Sequence, residues 1–246
     1  MGELVHEKQQ LIGLVSHDLK GPFNRIFALI QLMEISATNL TGEQQEYLGK
    51  IHQIVADGLG MIRNLLDNRR LEDQGIDFTL EPLNISVLLG SLIKNYRTLA
   101  ERKKFKFTFN TPNQSVVVAD KLYLYRIFEN LISNALKFSP ASKNIYTSIE
   151  EVENKIVVKV RDEGPGITKE DQRLLYKKFQ RLSARPTGGE SSTGLGLSIV
   201  KALVEKMDGE LICQSEEGNG ATFIVKLERS NELPGKNIPA VLENAN

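Results

Sequence analysis

In the stretch LVSHDLKGPF, His17 stands directly before Asp18 and four residues ahead of the Gly21-Pro22 pair. An imidazole with an unperturbed pKa of about 6.5 is largely neutral at pH 7, so one ring nitrogen keeps a lone pair for nucleophilic attack. Further along, FENLISNALKFS sets Asn130 and Asn134 four residues apart on one helix face, with Lys137 one turn beyond. Two carboxamides and an ammonium there can ligate a hard cation such as Mg²⁺ and neutralise phosphate. DEGPGI places Asp162 at the end of a strand, where its carboxylate can accept a hydrogen bond from an exocyclic amine. Gly164 and Gly166 let backbone pass close to a flat ligand. GLGLSIV, residues 194–200, opens a helix from a Gly/Ser loop and exposes N–H groups to an anion. Each stretch alone also reads as a polar face or a turn. The three together, in this order, point to a nucleotide.

These residues need elements to hold them. Apolar residues recur at helical spacing from 3 to about 39 (Leu4, Leu11, Val15, Leu19, Ile26, Ile30, Met33), and Thr41-Gly-Glu-Gln44 reads as a capping box opening a second helix. That helix carries Tyr47, Leu48, Ile51, Ile54, Val55, Ile62, Leu65 and Leu66 and stops near Asp73. An antiparallel hairpin with one apolar stripe cannot bury it alone, so a second copy should complete a four-helix bundle; packing on the C-terminal domain is the alternative. On an ideal helix His17 lies about 200° from Val15 and about 160° from Leu19, so it faces away from that stripe. Pro22 should bend the helix just after it.

Beyond Ile76 the pattern predicts strands at 78–80, 104–110, 116–118, 144–152, 155–161, 210–215 and 221–228. Helices are predicted near 84–103, 120–138 and 194–207, with a helix start at Thr168. Mostly antiparallel strands mixed with helices indicate an α+β sandwich. The division reads as a hairpin over 1–74, a second domain over 75–230 and a loose tail over 231–246.

Of 246 residues, 41% are hydrophobic and 25% charged, which are globular values, and thirty-one basic residues balance thirty-one acidic ones. That balance gives no nucleic-acid footprint. A single cysteine, Cys213, excludes an internal disulfide and suits a reducing, cytoplasmic compartment. No run approaches the length of a membrane span, so this segment is expected to be soluble and to make no membrane contact itself.

Taken jointly, these stretches resemble the catalytic core of bacterial sensor histidine kinases over residues 1 to about 229. SHDLKGPFNRI resembles the phospho-acceptor box, NLISNALKFS the N box, and DEGPGI and GLGLSIV the two glycine boxes. LLYKKFQRL is similar to the F box and GNGATFIV to the terminal glycine element. The resemblance implies a dimeric four-helix bundle followed by an ATP-binding sandwich of the GHKL type, with ATP and Mg²⁺ as cofactors. It implies that His17 accepts the γ-phosphoryl group with Asp18 as general base, before transfer to an aspartate of a response regulator in trans. By the same resemblance Asn134 ligates Mg²⁺ with Asn130 supporting it, Lys137 contacts phosphate, and Phe138 lines the adenine pocket. Asp162 binds the adenine amine, while Gly164, Gly166 and Ile167 shape that pocket. Residues 180–193 form a lid anchored by Phe179, with Gly194 and Gly196 beneath the phosphates and Thr193, Leu195 and Leu197 among the nucleotide-binding residues.

Gyrase-like, MutL-like and Hsp90-like ATPases share this fold but carry a water-activating Glu where Asn130 stands. An amide cannot act as that base, and Glu129 lies about 100° around the helix. Many relatives have Thr or Asn, linked to dephosphorylating the regulator, where this chain has Gly21; weak or absent phosphatase activity by that route is expected. The regulator's docking surface is expected near Asn24 and Phe27, and His6 and His52 are read as structural or solvated. A hydrolytic ATPase and an ATP-binding scaffold are the rival readings, opposed by Asn130 and by the His17-Asp18 pair respectively.

Overall fold

Thr41 and Gln44 exchange hydrogen bonds: the Thr41 N–H donates to Gln44 Oε1 at 2.9 Å, and the Gln44 N–H donates to Thr41 Oγ1 at 3.2 Å. This capping box starts α2 (Gly42–Glu72), which packs antiparallel to α1 (Gly2–Ser36). The computed structural model describes residues 2–36, 39–72, 78–102, 104–112, 115–187 and 193–232. Side chains are described for these residues apart from 2–18, 72, 98–99 and 101–102. The chain divides into two compact units, residues 1–76 with 174–199 and residues 77–173 with 200–246.

In the first unit the hairpin core is Ile30, Leu48, Val55 and Leu59, with Phe23, Phe27 and Leu40 packed against it. The expected single stripe is in fact two faces. Ile30, Leu48, Val55 and Ile62 are buried, whereas Leu19, Ile26, Leu29, Met33, Tyr47, Ile51 and Ile54 are exposed. A helix of a two-helix pair can turn only part of a wide apolar band toward its one neighbour, which leaves the rest in water. Among the described residues no helix is long and apolar enough to cross a membrane.

In the second unit the short strand β1 is Glu81–Asn84 rather than 78–80. The reason is tertiary: the Thr79 N–H donates to Asp120 Oδ2 at 3.0 Å, and the Phe78 ring lies 4.8 Å from that of Tyr123. The helix α3 (Ile85–Arg102) leads to β2 (Lys106–Asn110) and β3 (Val116–Ala119), and β3 pairs antiparallel with β1. The helix α4 (Lys121–Phe138) is followed by β4 (Asn144–Val152) and β5 (Lys155–Asp162). A single turn, α5 (Lys169–Gln172), is capped by Thr168. The helix α6 (Gly196–Lys206), whose first turn falls in the first unit, precedes β6 (Glu210–Ser215) and β7 (Ala221–Glu228).

The main sheet runs β2-β4-β5-β7-β6, parallel between β2 and β4 and antiparallel elsewhere. A parallel pair needs a long crossover, and the segment containing β3 and α4 supplies it. Strand alternation sorts the faces: Ile156, Val158, Val160 and Asp162 of β5 are buried on one side. The other side carries cross-strand ion pairs, Lys159 with Glu150 at 2.7 Å and Lys226 with Glu210 at 2.9 Å.

Candidate active site

His17 and Asp18 lie in α1, which continues unbroken through Pro22. The expected orientation of His17 concerns a side chain outside the described residues, as does that of His6. Gly21 sits in open space, with nothing within 4 Å of where a Cβ would project. Asn24 is exposed, but Phe27 is half-buried, its ring edge-on to His52 with centroids 4.6 Å apart. His52 Nδ1 also lies 3.6 Å from Glu34 Oε1, so this histidine is packed within the hairpin.

Asp120 begins α4 by accepting the N–H groups of Leu122 and Tyr123 on its carboxylate at 2.9 and 3.2 Å. The helix buries Leu124, Ile127, Phe128, Leu131, Ile132, Ala135 and Leu136, which turns Asn130, Asn134 and Lys137 to the half-buried side. Those three lie within about 60° of one another on an ideal helix. Asn130 Nδ2 donates to the Arg126 carbonyl at 2.9 Å. Only the amide nitrogen can make that bond, so the carboxamide oxygen is the atom left to face a cation. Glu129 accepts from the Arg126 guanidinium at 2.6 Å, so its carboxylate is already engaged.

Asp162 ends β5, buried. Its Oδ1 accepts the Gly164 N–H at 2.8 Å and the Ala221 N–H at 3.3 Å, bonds that leave Oδ2 to another donor. Burial pushes its carboxyl above the ordinary range, while those two N–H groups and Arg161 pull the other way. Gly164 runs beside the Phe138 carbonyl, which a Cβ would approach to 3.1 Å. Gly166 has a left-handed φ of +72°, and a Cβ there would overlap the Glu216 carbonyl. This bend is locked from across the unit. The Ile167 N–H donates to Ser215 Oγ at 2.9 Å, Ser215 Oγ donates to the Gly220 carbonyl at 2.7 Å, and Gln172 Nε2 bridges the Ile167 and Ser215 carbonyls at 2.8 and 2.9 Å. Ser215 and Gln172 were not legible as site residues, because their partners lie up to 48 residues away.

In the first unit, Phe179 holds a left-handed φ of +61° and is 63% exposed. A bulky residue in that region is strained. Residue 179 thus supplies a backbone turn at the start of the expected lid. Gly194, at φ +68°, crosses it so closely that a Cβ would sit 2.6 Å from the Gln180 carbonyl oxygen. Thr193 Oγ1 then accepts the Leu195 N–H at 3.3 Å, Leu195 is buried, and Gly196 and Leu197 form the first turn of α6. Residues 188–192 of the expected lid lie outside the described residues.

Comparison with known proteins agrees with these features. A family model for the His Kinase A (phospho-acceptor) domain matches residues 7–74, and one for the histidine kinase-, DNA gyrase B- and HSP90-like ATPases matches residues 119–231. The sensor histidine kinase YcbM of Bacillus subtilis is 28% identical over 222 residues, covering 90% of this chain and 71% of that protein. GacS, a sensor histidine kinase of Pseudomonas protegens, is 31% identical over 96% of this chain, yet the match spans only 27% of its own length. The crystal structure of full-length ShkA in complex with AMPPNP superposes with a TM-score of 0.68 at 25% identity, over 90% of this chain and 46% of that one. With a phospho-acceptor domain followed by an ATPase domain, and relatives of the same description, the chain belongs to the sensor histidine kinases.

Proposed function

We propose that the chain acts as a homodimer that phosphorylates its own His17 from Mg-ATP and passes the phosphoryl group to an aspartate of a separate response-regulator receiver domain. The observation that carries this reading is Asp162: a buried strand-end carboxylate whose Oδ1 is saturated by two backbone N–H groups while Oδ2 is left for an adenine amine. Phe138 lines the base, Lys137 meets phosphate, and the N–H groups around Gly194 and Gly196 receive the phosphate end of the nucleotide. Asn134 and Asn130 would hold Mg²⁺, consistent with an Asn130 carboxamide whose nitrogen is already engaged by the Arg126 carbonyl. When bound, the cation neutralises charge on the phosphates. His17 Nε2 forms the new N–P bond as the P–O bond to ADP breaks, and Asp18 takes the proton from Nδ1. Transfer to protein rather than water fits an amide at 130 and a Glu129 carboxylate tied to Arg126. The exposed apolar faces of α1 and α2 support dimerisation.

The test is incubation with γ-labelled ATP and Mg²⁺, comparing the chain with His17→Gln. Acid-labile, alkali-stable label on the wild type and none on the variant is the expected result. Free phosphate without protein label would replace this reading with a hydrolytic one, and neither product would reduce the chain to a scaffold.

A further inference from the structure

The β4/β5 ladder runs in register from Val152↔Lys155 to Ile145↔Asp162, and the next pair would be Asn144 with Glu163. There the backbone stops pairing and a side chain replaces it. Glu163 Oε2 accepts the Asn144 N–H at 3.1 Å, the bond a ladder carbonyl would otherwise make. Glu163 Oε1 accepts the Tyr146 hydroxyl at 2.8 Å, and the Asn144 side-chain amide lies 3.4 Å from both oxygens. Arg161 covers the Tyr146 ring at 5.5 Å. The Glu163 carboxyl is held below its ordinary range, first by the Asn144 N–H and then by Tyr146, whose phenol is pushed up by the same contact.

This carboxylate lets the chain leave the sheet immediately after Asp162 without orphaning the Asn144 N–H. The departing backbone is what brings the Gly164 N–H onto Asp162 Oδ1. We infer that Glu163, clamped by Asn144 and Tyr146, is a positioning residue that aims Asp162 Oδ2 and thereby sets the preference of the site for an adenine base. Glu163 bonds Tyr146, which stands opposite the exposed Arg161 in the ladder, whereas Asp162 is buried, so Glu163 acts through its neighbour rather than on the ligand. The inference rests on Asp162 as the base contact proposed above.

The experiment uses the full chain and measures dissociation constants for ATP and GTP with Mg²⁺, for wild type, Glu163→Ala, Glu163→Gln, Tyr146→Phe and Asp162→Asn. Losing hydrogen bonds to a charged group corresponds to roughly tenfold in affinity. Glu163→Ala should therefore weaken ATP by about that factor while GTP changes little, so the ATP/GTP ratio collapses. Glu163→Gln keeps an oxygen for the Asn144 N–H, and its amide N–H can donate to the Tyr146 hydroxyl oxygen, so it should restore most of the ratio. Tyr146→Phe should lower it a few-fold, and it decides the matter should Glu163→Ala fail to fold. An unchanged ratio in the folded Glu163→Ala or Tyr146→Phe chains, or equal losses for ATP and GTP, would overturn the inference. If Asp162→Asn leaves ATP affinity and the ratio at wild-type values, the base contact itself is wrong, a failure separate from that of Glu163.

Discussion

The Ala221 N–H donates to Asp162 Oδ1 across 59 residues of sequence, at 3.3 Å. It joins the first residue of β7 to the last of β5, so the turn before β7 and the glycine bend after β5 are built around one carboxylate. Burial raises the pKa of this group above its ordinary 3.8. The folded state therefore holds a proton that the unfolded chain releases between 3.8 and the raised value. The stability it contributes is greatest below 3.8 and is lost as pH rises through that window.

Asp162→Asn removes the buried charge and keeps an acceptor for both N–H groups. At pH 7 its melting temperature without nucleotide should rise, while ATP affinity falls by about tenfold or more. Thermal unfolding at pH 7 and pH 4 checks the first expectation: the gain shrinks on acidification. Calorimetric titration with Mg-ATP checks the second.

Gly21 has free space around it and a helical backbone. Gly21→Thr should fold with stability within about 1 kcal/mol of wild type, because helix propensity slightly favours the change and nothing obstructs it. The hydroxyl should raise dephosphorylation of the cognate regulator above the wild-type rate. Phosphate loss from phosphorylated regulator, followed with each protein added, is the measurement. Equal, rapid loss with wild type would show that Gly21 does not limit this activity.

Gly194→Ala drives a methyl group into the Gln180 backbone at a left-handed φ. The expected cost exceeds about 1 kcal/mol, read as a lower denaturant midpoint. Gly21→Ala, lacking both problems, is the matched control and should leave the midpoint unchanged or raise it.

Ile26 and Ile51 lie exposed on the two helices of the hairpin. Covering an isoleucine contributes about 1.5–3 kcal/mol, so a glutamate at either position should weaken self-association strongly. Light scattering across a dilution series should show wild type at twice the chain mass and Ile26→Glu/Ile51→Glu at the monomer mass. His17 labelling by the double variant then reports whether the monomer suffices.

Much of this was legible in the chain itself. The capping box at Thr41, the extents of β4, β6 and β7, and the helix carrying Asn130, Asn134 and Lys137 follow from local spacing, because helix and strand periods are properties of neighbouring residues. The family, too, could be read from short motifs in order. Tertiary structure alone decided which part of the apolar band the hairpin buries, that residues 78–80 yield their strand to Asp120, and that Ser215, Gln172, Glu163 and Tyr146 hold the glycine bend. Each of those outcomes depends on a partner 17 or more residues away in sequence, and hydrogen-bonding capacity carries no mark of where its partner will be. A glutamate beside Asp162 looks like any exposed acid until the sheet sets Asn144 and Tyr146 against it.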